Sequence, residues 1–182
     1  MTTAYIVLHH AAADGGAQDV HRWHLKKGWI GIAYHYYIRK DGSIYRARPE
    51  KVMGAHTQGY NNKSIAICFE GNFEAEYMNE TQLNAGAALI IDIKKRFLGL
   101  SVMLHNAFDE TACPGANFPL TEILAAVDAA EIQPGPDIWA KEAADWAVVK
   151  GLFAGDETGK LFWKDYLTRQ ELAVVLKRFA EM

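Results

Sequence analysis

The chain has only two cysteines in 182 residues, Cys68 and Cys113. That count excludes the dense disulfide framework that supports small secreted domains, and leaves room for one bridge at most. A basic excess is also missing: 19 Lys and Arg face 22 Asp and Glu, for a net charge of -3. Nucleic-acid binding is therefore not expected, because it depends on neutralising many phosphates. No apolar run approaches the roughly 20 residues needed to span a bilayer. The first ten residues, Met1-Thr-Thr-Ala-Tyr-Ile-Val-Leu-His-His10, lack a basic start, a long apolar stretch and a cleavage site. The expectation is a protein without a membrane span, cytoplasmic when synthesised. Proline is scarce as well, and two of the five prolines flank Gly135 in Gln133-Pro-Gly-Pro136, the clearest linker signal in the chain. The remainder is 50% hydrophobic and 23% charged, an ordinary globular balance. The length suits one domain with a small appendage, with the boundary placed between residues 1–133 and 134–182.

Tyr5-Ile-Val-Leu8 is a β-prone run ending in two histidines. Residues 18–27 have helical spacing, with Gly28 at the position that ends a helix in the left-handed region. Tyr34–Arg39 and Ser43–Arg46 read as strands joined through Asp41-Gly42, a strong hairpin signal. Ser64–Phe69 and Ser101–Leu104 are further strands. Asn79-Glu-Thr-Gln82 reads as a capping box opening a long helix, with Gly99 just past its end, and residues 121–130 form another helix. Strands mixed with helices without strict alternation predict an α/β fold, a mixed central sheet flanked by helices. Beyond the linker the chain reads as all-helical. Residues 137–150 place Ile138, Ala143, Trp146 and Val149 on one side, and a second capping box, Thr168-Arg-Gln-Glu171, opens a helix bearing Leu172, Val175, Leu176 and Phe179. A unit of this size buries little surface, so it is expected to pack on the first domain or on a copy of itself.

Seven histidines occur, and His9 and His105 stand apart because each ends a β-prone apolar run. Strand ends lie at the rim of a sheet, where sites in α/β folds gather. Eight positions after His105 comes Cys113, in Ala-Cys-Pro-Gly115. One thiolate and two imidazoles suit Zn²⁺ and leave a fourth position for water, as a catalytic site requires. Spacing alone leaves a second reading open: a buried cysteine before a turn and two unrelated histidines.

The ordered set resolves more. Leu8-His9-His-Ala-Ala-Ala13 is followed by Trp23-His24 and Gly28-Trp29, then Ala33-Tyr34-His35-Tyr-Tyr-Ile38 and Asp41-Gly42. Ala55-His56-Thr-Gln-Gly-Tyr-Asn61, Ser64-Ile-Ala-Ile67 and Glu70-Gly-Asn-Phe73 come next, then His105-Asn106 and Ala112-Cys113-Pro-Gly115. Over roughly residues 3–130 this resembles the type 2 N-acetylmuramoyl-L-alanine amidases, which include phage lysozyme-type amidases and are related to peptidoglycan recognition proteins. The resemblance implies zinc held by His9, His105 and Cys113, with Tyr34 assisting near the metal. Thr111 falls where some members carry a catalytic lysine, so its hydroxyl becomes a candidate catalytic donor. Cys68 stands where others carry a glutamate base, and Glu70 nearby reads as structural. His56 and Asn61 lie in a loop matching one that lines the substrate groove, and so are candidate contacts to peptidoglycan or muropeptides. Trp23 and Trp29 are expected in the core; His10, His21, His24 and His35 are expected to be structural or exposed.

The implied activity is hydrolysis of the amide between the muramic acid lactyl group and L-alanine. Without a secretory signal, such an enzyme fits a phage or prophage endolysin that reaches the wall after release. A peptidoglycan-recognition module without turnover is the alternative, and Cys113 argues against it. The segments Trp139–Ala147, Gly151–Gly155 and Leu167–Leu172 resemble a single S-layer homology motif. That resemblance implies binding to a secondary cell-wall polymer, with Arg169 a contact; pairing of two chains through the helical tail is the other reading.

Overall fold

The computed structural model describes residues 3–131, 141–153 and 169–181. The chain divides into two compact units, Met1–Ala129 and Ala130–Met182.

The first unit is built on a five-stranded mixed sheet. Its strands are β1 (Tyr5–His10), β2 (Tyr36–Ile38), β3 (Ile44–Arg46), β4 (Ser64–Phe69) and β5 (Ser101–Leu104), arranged in the order β3-β2-β4-β1-β5. β1 runs parallel to both β4 and β5, β2 runs parallel to β4, and only β3 is antiparallel to its neighbour. Parallel strands covered on both faces read as continuous apolar runs, and every residue of β4 is buried. One face carries the larger core: Ile6, Leu8, Ile65, Ile67 and Phe69 pack with Leu89, Ile90 and Ile93 of α2 (Glu80–Arg96) and with Ile123 and Val127 of α3 (Leu120–Glu131). The other face is smaller, with Val20 of α1 (Ala17–Lys26) packed on Tyr37, Cys68 and Ile32.

Local signals explain most of the boundaries. Gly42 at φ 83° turns the β2–β3 hairpin, and Asp41 Oδ1 accepts the Ser43 N–H at 2.9 Å. Asn79 caps α2 by accepting the Gln82 N–H at 2.8 Å. The reciprocal half of the expected box is absent, because Gln82 Nε2 donates instead to the carbonyls of Ile38 and Glu70, tying α2 to the sheet. β2 starts two residues later than expected. The His35 ring takes the Ala66 N–H at 2.9 Å, so a side chain replaces the backbone partner that would have extended the ladder. Trp29 departs from its expected place in the core and is 43% exposed. α1 stops at Lys26, Gly28 reverses the chain at φ 80°, and the Trp29 N–H returns to the His24 carbonyl, leaving the indole on the rim.

The second unit contains α4 (Lys141–Val149) and α5 (Arg169–Ala180). Ala144, Ala147 and Leu152 are buried, while Trp146 and Val149 of the expected apolar side are exposed. The inward stripe of α4 is thus one position removed from the expected one: small alanines allow close approach and the bulky residues face out. On α5, Leu172, Leu176 and Phe179 are exposed. The guanidinium of Arg178 donates to the Leu152 carbonyl at 3.1 Å. The start of the expected helix at 137–140, most of the Gly-rich turn and the Thr168 cap lie outside the described residues. No helix among the described residues is long and apolar enough to cross a membrane.

Candidate functional site

β1 is longer than its neighbour. β5 pairs with Tyr5–Leu8 and stops at Leu104, so His9 and His10 continue past it with one edge free. Strand alternation sends Leu8 into the larger core and His9 to the α1 face, beside its register partner Cys68. At the end of β5 the chain breaks into a single 3₁₀ turn, His105–Ala107, and then loops to Cys113. The loop is held closed by the Asn106 N–H on the Cys113 carbonyl at 3.1 Å and the Cys113 N–H on Thr111 Oγ1 at 3.2 Å. Just beyond it, Gly115 has φ 103°, and a Cβ there would lie 2.4–2.6 Å from backbone atoms of Phe73 and Glu74. Only glycine lets this segment lie so close, and the Asn117 N–H on the Phe73 carbonyl at 2.8 Å fastens it.

The result is that His9, His105 and Cys113 each present one ligand atom, and these atoms lie within 4.8 Å of one another. The 96 residues that separated the two histidines in sequence are closed by the adjacency of β1 and β5. Two details show that the set fits zinc. Tetrahedral bonds of about 2.0–2.3 Å place ligand atoms roughly 3.3–3.8 Å apart, and Cys113 Sγ lies 3.7 Å from His9 Nδ1. In addition, His105 Nδ1 is buried without a hydrogen-bond partner, a state that costs free energy unless something binds it.

Each ring is held from behind. His105 Nε2 lies 2.8 Å from Asp109 Oδ2. His9 Nε2 lies 3.0 Å from His56 Nδ1, and His56 Nε2 lies 3.2 Å from Ser64 Oγ, which donates to the Tyr60 carbonyl at 2.7 Å. With His9 Nδ1 left bare toward Cys113, the protons along this row all point away from the site. Burial is the main reason His9 titrates well below the ordinary imidazole range, with His56, His105 and His10 adding to it. Burial likewise pulls His56 down to about 3. Both rings are neutral at physiological pH, as metal ligation requires. Burial pushes the Cys113 thiol up to about 11, so the thiolate needs a cation beside it.

The half-buried Tyr34 packs its ring 5.1 Å from that of His9. Burial, then the Cys68 and Cys113 thiols, raise its phenol well above 10, so it stays a proton donor. Thr111 lies two residues before Cys113 with its oxygen on the Cys113 N–H. His56 and Asn61 are occupied within the protein: His56 is 9% exposed and braces His9, while Asn61 Oδ1 accepts the N–H groups of His56 and Thr57 at 2.7 and 3.0 Å. Glu70 is structural, accepting from Gly15 N, Lys40 N and Arg39 at 2.9–3.3 Å. Cys68 is fully buried against Tyr37 and Val20. His10, His24 and His35 are buried acceptors for the N–H groups of Phe73, Ala33 and Ala66. Asp109 was not apparent from the sequence; its only signal there is its place four residues after His105.

The comparisons agree with this geometry. The family model described as N-acetylmuramoyl-L-alanine amidase matches residues 1–116. An endolysin of Klebsiella phage KP32 is 31% identical over 121 residues, covering 62% of this chain and 80% of that protein. The solved structure of N-acetylmuramoyl-L-alanine amidase LysC from Clostridium intestinale URNW superposes with a TM-score of 0.68 at 38% identity, over 70% of this chain and 87% of that one. A structure of tracheal cytotoxin bound to the ectodomain complex of the peptidoglycan recognition proteins LCa and LCx gives 0.61 at 29% identity, over 65% and 79%. With more than half of its length matched by the family model, and with the His9–His105–Cys113 cluster assembled at the strand ends, the chain belongs to the N-acetylmuramoyl-L-alanine amidase family.

Proposed function

We propose that this chain is a zinc-dependent peptidoglycan amidase of the phage or prophage endolysin kind, hydrolysing the amide between the muramic acid lactyl group and L-alanine. The observation that carries the zinc reading is the clustering of His9, His105 and Cys113 around a buried His105 Nδ1 that has no hydrogen-bond partner. When bound, zinc makes water nucleophilic at neutral pH and polarises the scissile carbonyl. The chain supplies the rest. His56 fixes His9 with its Nδ1 bare, and the Asn106 and Thr111 contacts hold the Cys113 loop. The protonated Tyr34 phenol donates a hydrogen bond to the oxygen on which negative charge develops. The oxygen of Thr111 already accepts from Cys113 N, so its hydroxyl hydrogen is free to donate to the same oxyanion or to the departing amine. His56 and Asn61 act by shaping the groove wall, since the His56 ring is engaged by His9 and Ser64 and Asn61 Oδ1 by the loop backbone.

The kinship with an endolysin supports action on the cell wall after release from the cytoplasm, and the cytotoxin-bound relatives support muropeptides as ligands. Residues 134–182 are read as a targeting or pairing appendage resembling one S-layer homology motif. The exposed Leu172, Leu176 and Phe179 favour pairing of two chains over binding of a wall polymer. Sedimentation of the full chain, with and without purified walls, separates the two.

The decisive test of the activity is turbidity loss of purified walls with counting of liberated L-alanine amino termini. Wild type releases them. Cys113→Ala, or wild type with zinc chelated, does not, while circular dichroism stays native. Zinc-loaded wild type that binds several wall types tightly without releasing L-alanine termini would replace this reading with that of a recognition module.

A further inference from the structure

The two imidazoles of the site are braced by partners of different kind. His9 leans on the ring of His56. His105 leans on a carboxylate, with Nε2 2.8 Å from Asp109 Oδ2. An imidazole that meets a carboxylate at one nitrogen keeps its proton there, so its other nitrogen carries the lone pair. In His105 that other nitrogen is Nδ1, a buried atom with no partner, on a ring that clusters with His9 and Cys113. We infer that Asp109 is a positioning residue that holds His105 in its metal-competent tautomer and sets the zinc affinity of the site.

Charge supports the same assignment. The His105 and Asp109 side chains are only 17% and 32% exposed. In such surroundings a dication held by one thiolate and two imidazoles would leave one uncompensated positive charge, which the Asp109 carboxylate would offset. The position of Asp109 does not depend on its carboxylate. The turn is held by the Phe108 and Asp109 N–H groups on the His105 carbonyl at 3.0 and 3.2 Å. Phe108 is anchored between Tyr5 and Tyr60, with ring centroids 5.2 and 4.1 Å away. Removing the carboxylate therefore leaves the loop in place and changes what His105 can do.

This inference rests on the zinc reading above, and its test separates the two. Zinc affinity is measured on the full chain by competition with a chromophoric chelator for wild type, Asp109→Ala and Asp109→Asn. Imidazole ¹⁵N shifts are recorded on the zinc-free proteins. The expected result for Asp109→Ala is an affinity about 10–100-fold weaker, a mixed His105 tautomer and an unchanged zinc-free melting curve. Asp109→Asn falls between, because its amide accepts from Nε2–H in one orientation and donates to Nε2 in the other. Wild type that binds zinc, with Asp109→Ala binding within twofold of it and His105 still protonated at Nε2, overturns the role of Asp109 and leaves the zinc reading standing. Wild type that binds no zinc overturns both. Should Asp109→Ala melt early, the comparison of the near-isosteric Asp109→Asn with wild type decides: equal affinity and an equal tautomer overturn the inference.

Discussion

Substitution of Gly115 by alanine tests how the Cys113 loop is seated. Two separate penalties apply. The backbone at φ 103° is one that side-chain-bearing residues rarely adopt, costing about 1–2 kcal/mol. The new Cβ would also lie 2.4 Å from the Phe73 carbonyl carbon and 2.6 Å from Glu74 N. Ordinary contact begins near 3.4 Å, so backbone must move by about 1 Å, an overpacking cost of roughly 1–3 kcal/mol. Gly99 is the matched control. Its φ is 75° and nothing lies within 4 Å of its Cβ, so Gly99→Ala incurs only the first penalty. A domain of this size loses about 3–4 °C of Tm per kcal/mol. Gly115→Ala should therefore melt roughly 6–20 °C below wild type, and Gly99→Ala about 3–8 °C below. Because the displaced segment carries Cys113, zinc affinity should fall in the first variant and not in the second. Calorimetry and chelator competition read both quantities. The reasoning is refuted if the two variants melt together and bind zinc alike.

Tyr34→Phe removes one oxyanion donor and should lower kcat by ~10²–10³ with zinc content and melting unchanged; a loss confined to KM would reassign Tyr34 to substrate binding. The pH dependence of stability tests the buried imidazoles. Burial, with Lys27, Arg48 and His21 nearby, pulls His24 down to about 4, against about 6.5 in the unfolded chain. Between those values the unfolded chain holds a proton that the folded one lacks, so stability is full above pH 6.5 and falls as pH drops toward 4. By pH 5 the loss from His24 alone reaches up to about 2 kcal/mol. His24→Gln, which keeps an acceptor for the Ala33 N–H, should flatten the difference in denaturant midpoint between pH 7.5 and pH 5 by that amount, in chelator throughout. An unaltered slope would count against a neutral buried His24.

The strands were the most legible parts of the sequence because period and punctuation carry them, while the grouping of His9, His105 and Cys113 was legible through the ordered motif set and not through spacing. Ser64–Phe69 and Ser101–Leu104 appear with the expected bounds, since short, largely apolar runs between turn residues admit few alternatives. His9 and His105 were legible as strand ends, although their meeting depended on the strand order, which no local pattern encodes. The behaviour of the remaining histidines was less legible. His10, His24 and His35 each satisfy a backbone N–H of another segment, 63, 9 and 31 residues away, and such pairings leave no periodic trace. The same holds for His56, whose ring serves His9 across 47 positions. The α4 stripe was misplaced by one position because small alanines, not the large apolar residues, make the close approach.

The pairing of the first strand with the last also sets a schedule. His9 and Cys113 are 104 residues apart, so at a synthesis rate of roughly 5–20 residues per second His9 leaves the ribosome about 5–20 s before Cys113. Until β5 and the loop behind it have emerged, β1 has only half its neighbours and His9 lacks both His105 and Cys113. Each newly made molecule therefore passes through an interval in which it is long enough to begin folding and still lacks the means to cut a wall.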